Sequence, residues 1–172
     1  DSSCLYCDYM NNDYISDLYS TNVSCNGGND GSIYGIDLGN ILSSGVAPFS
    51  FSIDSGLTFQ SSTTFNNLTA GDYYVTYMDG NGCINPNISQ YWVIITEPTP
   101  FQYLSLQNDV SCSGGDDGNI TLSVTSGNTS PYTISWSNGT VGNSNTNLSN
   151  GVYEAYVTDA NGCADTVGYL IS

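Results

Sequence analysis

Apolar and polar residues alternate over Asp72-Tyr-Tyr-Val-Thr-Tyr-Met-Asp79 and again over Val152-Tyr-Glu-Ala-Tyr-Val-Thr-Asp159. A period of two sends successive side chains to opposite faces of an extended strand, so each stretch reads as a half-buried β-strand. The core face is assigned to Tyr73, Val75 and Tyr77 in the first, and to Tyr153, Ala155 and Val157 in the second. Shorter strands bounded by Gly, Asn and Ser are predicted around them. These are Ser32–Leu38 and Asn119–Val124, Pro48–Ile53 and Pro131–Trp136, Tyr91–Thr96 and Thr166–Ile171. Pro48 and Pro131 open their strands, where a missing N–H costs no ladder bond. No segment sustains a 3.6-residue period, so no helix is expected beyond a turn near Asp8–Asp17.

The strand pattern occurs twice. Val23-Ser-Cys-Asn-Gly-Gly-Asn-Asp-Gly-Ser-Ile33 returns as Val110-Ser-Cys-Ser-Gly-Gly-Asp-Asp-Gly-Asn-Ile120, and Asp79-Gly-Asn-Gly-Cys83 returns as Asp159-Ala-Asn-Gly-Cys163. A module repeated in one chain is the signature of a rod, stalk or array. Many short strands with Gly and Asn turns predict an all-β chain of two tandem immunoglobulin-like β-sandwich modules. The modules are placed at residues 20–99 and 100–172. Residues 1–19 match neither and read as an N-terminal extension or the end of a preceding module. Glu97-Pro-Thr-Pro100 joins the modules as a short, semi-rigid linker, which suits a rod better than a flexible tether. The chain is expected to be a fragment of a longer protein.

Charge narrows the function. The chain has no Lys, Arg or His, and 16 acidic residues give a formal charge of −16. Nucleic acid is excluded as a partner, because nothing here can neutralise its phosphates. An anionic membrane surface would repel the chain, and no run of about twenty apolar residues exists for direct membrane insertion. Histidine bases, zinc histidines and Schiff-base lysines are all absent. The two glutamates, Glu97 and Glu154, lie in the linker and on a strand face, with no carboxylate partner for glycoside hydrolysis. No enzymatic activity is expected. A uniformly acidic surface keeps a concentrated surface protein from self-associating.

Modules this small bury limited surface and commonly need a staple. Six cysteines supply one, and they point to an oxidising compartment. Cys25 and Cys83 occupy one repeat, Cys112 and Cys163 the same places in the other, and Cys4 and Cys7 stand near the N-terminus. Cys4-x-x-Cys7 has no second CxxC and no His, which argues against zinc. Repeat symmetry favours Cys25–Cys83 with Cys112–Cys163, provided a single strand separates the third strand from the strand at Asp72–Asp79. Two strands there would send the cysteines of a repeat to opposite ends, and Cys25 would meet Cys163 instead. Only eleven residues separate Gly139 from Gly151, which favours one strand and pairing within the repeat.

These motifs resemble a known family. V-x-C-x-G-G-x-D-G, P-[FY]-x-[FI]-x-[IW], L-x-x-G-x-Y and D-x-N-G-C together are similar to SprB-type repeats. The match runs through Val23–Cys25, Asp30-Gly31, Pro48–Ile53, Leu68–Tyr73 and Asp79–Cys83. It recurs at Val110–Cys112, Asp117-Gly118, Pro131–Trp136, Leu148–Tyr153 and Asp159–Cys163. Asp54-Ser55 departs from the pattern, standing where Ser-Asn would be usual. Such repeats build very large cell-surface adhesins of gliding Bacteroidota, exported by type IX secretion. The resemblance implies an extracellular, cell-surface location, a modular build and a part in adhesion.

Few residues carry candidate chemistry. Asp30, Asp116 and Asp117 sit in the Gly-rich turns, and Asp79 and Asp159 begin the cysteine turns. Carboxylates on loops are hard oxygen ligands that suit Ca2+. Equally, Asp before Gly is a turn former that caps its own backbone. Trp136 reads as a sandwich core residue, and Trp92 as a candidate for stacking on sugar rings. Three roles follow. The first is a stalk or spacer in adhesion, with neighbouring repeats of the same protein as partners. The second is a calcium-dependent module binding surface glycans or another surface. The third is an appendage subunit assembled by strand pairing.

Overall fold

The computed structural model describes residues 15, 17–37, 45–85, 91–127 and 129–172. The expected turn near Asp8–Asp17 lies largely outside these residues. So do Cys4 and Cys7. Thirteen strands and no helix occur among the described residues. The chain divides into two compact units, one of Asp1–Val23 with Gly27–Glu97, the other of Ser24–Asn26 with Pro98–Ser172.

The first unit contains β1 (Tyr19–Thr21), β2 (Gly31–Tyr34), β3 (Ser50–Ser52), β4 (Phe65–Leu68), β5 (Gly71–Tyr74), β6 (Thr76–Met78) and β7 (Trp92–Ile95). One sheet has the order β1-β2-β4, and β3-β6 and β5-β7 form the pairs that face it. The predicted strand over Asp72–Asp79 is broken at Val75, whose N–H donates to the Tyr91 carbonyl at 2.8 Å. The break lets β5 pair with β7 and β6 with β3. Val75 and Tyr77 still reach the core with Ile33, Phe51 and Ile95, while Tyr73 packs at its margin.

The second unit contains β8 (Gln102–Asn108), β9 (Gly118–Ser126), β10 (Thr133–Trp136), β11 (Ser144–Leu148), β12 (Gly151–Thr158) and β13 (Ala164–Ile171). Sheet β11-β9-β8 packs on sheet β10-β12-β13. Ile120, Leu122 and Leu148 from the first meet Ile134, Trp136, Ala155, Val157 and Ile171 from the second. All strand pairs are antiparallel. The order matches the two sheets of an immunoglobulin-like sandwich. Trp136 is buried, as a core residue should be, and its Nε1 donates to the Gly142 carbonyl at 2.9 Å. Ala47–Pro48 and Ser130–Pro131 are cis at matched places.

The eleven residues before Gly151 hold one strand, β11, and a short return segment ahead of it. After β10 the chain doubles back: Trp136 N–H donates to the Thr140 carbonyl and Gly142 N–H to the Ile134 carbonyl, both at 2.8 Å, and Val141 bridges Ser135. Only then does it cross to the other sheet as β11. Gln60 bridges Phe51 in the same way after β3. This return segment is too short to show a period, yet it reverses the chain direction once more. Cys112 therefore turns at the end where β9 begins and β11 and β13 finish. Gly118 lies opposite Leu148, and Val110 N–H donates to the Ser172 carbonyl at 3.3 Å. Cys163 turns between β12 and β13 at the opposite end. An eight-residue strand spans roughly 25 Å, far beyond the ~7 Å Cα reach of a disulfide.

Candidate functional site

The cysteines correct the pairing within repeats. Cys25 is bonded to Cys163, with Cα atoms 5.5 Å apart, whereas Cys83 and Cys112 carry free thiols. Opposite ends forbid Cys112–Cys163 in the second unit, and Cys25–Cys83 fails on the same topology. Val23 N–H donates to the Thr96 carbonyl at 3.0 Å, at the end where β7 finishes, while Cys83 follows β6 at the other end. Cys83 is buried in the first core, where a thiol behaves as a small apolar group. Cys112 is exposed.

The acidic turns are built alike. In D-x-N-G-C the aspartate folds its carboxylate onto the backbone that follows. Asp79 Oδ1 accepts from the N–H of Asn81 and of Cys83, both at 2.9 Å, and Oδ2 accepts from Val46 N–H at 3.2 Å. Asp159 Oδ1 accepts from Asn161 at 2.9 Å and Cys163 at 2.8 Å, and Oδ2 from Thr129 N–H at 2.9 Å. Burial alone would raise the Asp159 pKa. Backbone N–H groups of Thr129, Cys163, Asn161 and Gly162 outweigh it and hold the carboxyl below its ordinary value. Asp117 accepts from Ser111 N–H at 2.9 Å, and Ser111 lowers its pKa. Asp30 and Asp116 are exposed. Within each unit the Gly-rich turn and the cysteine turn lie at opposite ends, so their carboxylates do not converge. Among the described residues, no three Cys, Asp or Glu side chains group where a metal ion could sit.

The motif glycines have a role the turn reading missed. A Cβ on Gly31 would lie 2.8 Å from the Leu68 carbonyl and 2.9 Å from Ile95 Cγ2. On Gly118 it would lie 2.7 Å from the Leu148 carbonyl and 2.9 Å from Ile171 Cγ2. Each glycine admits the neighbouring strand and the last core residue at close range. Asp54, which departs from the repeat pattern, is held by a cluster of donors. It accepts from Ser52 Oγ at 2.6 Å, Leu57 N–H at 3.0 Å, and Thr58 N–H at 2.9 Å and Oγ1 at 2.5 Å. Burial opposes its ionisation, but these donors prevail and bring its pKa down to about 2.

Trp92 is 54% exposed and stands directly across from Tyr74 on β5. Its Nε1 donates to Asp72 Oδ1 at 3.3 Å. Asp72, Tyr74, Trp92 and Ile94 thus share the outer face of β5-β7, since Tyr73 and Val93 pack inward. Cross-strand neighbours on one face lie side by side, with Cβ atoms about 5 Å apart, so two aromatic residues, a carboxylate and an apolar edge share one small platform. In the second unit the matching pair is Glu154 opposite Gly168, so the fold itself does not require aromatic rings here. Glu154 accepts from the Tyr156 hydroxyl at 2.7 Å, and Glu97 accepts from Gly27 N–H.

The family model described as SprB repeat matches residues 19–58 and 105–141. Both repeats match the SprB repeat. No curated protein matches the chain. Among solved structures, the C-terminal 282-residue fragment of intimin, in complex with the translocated intimin receptor intimin-binding domain, is 14% identical. That match covers 92% of this chain and 64% of that one, at a TM-score of 0.40. The chain therefore spans just under two thirds of the intimin fragment. The amphioxus IgVJ-C2 molecule is 15% identical, over 92% of this chain and 97% of that one, at a TM-score of 0.34. The two matched stretches together cover just under half of the chain.

Proposed function

We propose that the chain is an extracellular repeat segment of a cell-surface adhesin, and that its modules serve as a stalk or spacer. The observation that carries this is the Cys25–Cys163 bond, which builds the turn Ser24–Asn26, taken from one repeat's sequence, into the unit formed by the other. That bond lies within the second unit, and a turn held covalently in its unit resists unfolding under load, which a stalk needs. The acidic surface and the absence of any cation fit a surface filament that must not collapse on its neighbours.

A second reading is favoured by one observation, the Trp92–Tyr74–Asp72 platform, which could stack a sugar ring and accept its hydroxyls. One experiment separates the two. The full chain and its Trp92→Ala variant are screened for binding to glycans and cell surfaces, in calcium and in chelator. Absence of saturable binding in either buffer is the result expected of a spacer. Saturable binding lost in Trp92→Ala makes the platform an adhesive site instead, and loss in chelator makes that site calcium-dependent.

A further inference from the structure

Cys112 occupies the same place in the second unit that Cys25 occupies in the repeat before it. Both follow a V-S-C start. Val23 N–H reaches the Thr96 carbonyl, and Val110 N–H reaches the Ser172 carbonyl. Gly31 packs on Leu68 and Ile95, and Gly118 packs on Leu148 and Ile171. Yet Cys25 is bonded to the cysteine of a D-x-N-G-C turn in the other repeat, and the Cys112 thiol is free and exposed. The end-to-end geometry of its own unit denies it Cys163. Beside it lies an open groove of about 390 Å³ lined by Val110, Ser113, Gly114, Asn150 and Ser172.

We propose that Cys112 is a coupling thiol whose partner is the D-x-N-G-C cysteine of another module of this kind. The two thiols lose two protons and two electrons and form one S–S bond. A low-molecular-weight disulfide such as oxidised glutathione takes the electrons and leaves as two thiols. The second observation behind this is the bond that the equivalent Cys25 already makes. Each module would then carry one outgoing thiol, in its Gly-rich turn, and one receiving thiol, in its D-x-N-G-C turn. The inference rests on repeat equivalence and stands whether or not any surface is bound.

The test extends the full chain at Ser172 with a second copy of residues 97–172, since Thr96 and Ser172 hold equivalent places. Chain and extension are oxidised in glutathione buffer, denatured, alkylated without reduction, and mapped by mass spectrometry after peptic cleavage. The Cys25–Cys163 peptide reports that oxidation worked. Expected is alkylation of Cys112 in the 172-residue chain and its linkage, in the extended chain, to the appended copy of Cys163. Linkage of Cys112 to Cys83 of a second molecule, seen as covalent dimer, would assign the same chemistry to another copy. A Cys112 thiol still alkylated in the extended chain, with Cys25–Cys163 formed, overturns the proposal. Cys112→Ser should leave the appended cysteine free and Cys25–Cys163 unchanged.

Discussion

The Cys25–Cys163 bond should contribute a large part of the second unit's stability, and its worth can be calculated. The two residues are 138 apart in sequence. For a loop of that length the chain-entropy relation gives about 5 kcal/mol at 25 °C. The effective loop is shorter while the first unit stays folded. There Val23 is held against Thr96, so Cys25 starts close to the residue that leads into Pro98. Unfolding the second unit then frees only the run from Pro98 to Cys163, about 66 residues, and the same relation gives about 4.4 kcal/mol. A module of about 75 residues has a total stability of roughly 4–11 kcal/mol. Removing the bond should therefore leave the second unit marginal.

The variant Cys25→Ser/Cys163→Ala removes the bond without creating a new free thiol. Urea unfolding is followed by tryptophan fluorescence in a Trp92→Phe background, so that buried Trp136 alone reports on the second unit. Expected is a loss of about 3–4 kcal/mol in the Trp136 transition, allowing for residual structure in the unfolded chain. Reduction of the parent chain should give the same shift. A loss under about 1 kcal/mol would mean that the unit holds itself together by its own core, and would refute the reasoning.

Asp79→Ala removes an acceptor from three backbone N–H groups in a buried turn. The first unit should lose about 2–4 kcal/mol, with Asp79→Asn recovering part of it; thermal melts that superimpose on the parent's would contradict the turn's role. Asp54 has a folded pKa depressed to about 2, so its contribution is complete above the ordinary carboxylate value near 4 and is lost as pH falls towards 2. Asp54→Asn should flatten the first unit's stability between pH 4 and pH 2, and parallel curves for parent and variant would count against the assignment. Gly118→Ala should cost about 1–3 kcal/mol through overpacking against Leu148 and Ile171. Gly168→Ala, where an added Cβ meets nothing within 4 Å, should be near neutral, and equal effects of the two would remove the packing explanation.

Much of the sandwich was legible because strand period and turn chemistry are local properties. Alternation found Ala155 and Val157 correctly, and the third-strand position of Trp136 marked it as core. What was not legible was the return segment Thr140–Gly142. Three residues carry no period, and their pairing with β10 depends on hydrogen bonds that form only in the folded unit. That one reversal decides which ends the cysteines occupy, so the arithmetic of eleven residues pointed to the wrong partner. The platform was half legible. Trp92 was singled out, but Tyr74 and Asp72 join it through a cross-strand register that sequence spacing does not give. The motif glycines hid in plain view. A Gly after Asp announces a turn, and nothing local says that Ile95 or Ile171 will later close upon it.

The structure also accounts for the composition. With no Lys, Arg or His, no side-chain ion pair can form, so each buried or half-buried carboxylate must be satisfied by N–H and O–H donors. Asp54, Asp79 and Asp159 take them from residues two to four positions on in the chain, while the exposed Asp117 and Asp109 accept from Ser111 and from the distant Ser172. The short aspartate arm reaches backbone N–H groups two to four residues on, and the longer glutamate arm loses that geometry. This explains why Asp outnumbers Glu by 14 to 2 in a chain of −16 charge. The acid content is thus partly architectural, and only the remainder, such as Asp116, is surplus surface charge. That surplus, all of one sign, allows two copies no charge pairs across an interface. Any lasting association between copies must then rest on something other than charge pairs, such as apolar contact, backbone pairing, a bridging metal ion or a disulfide.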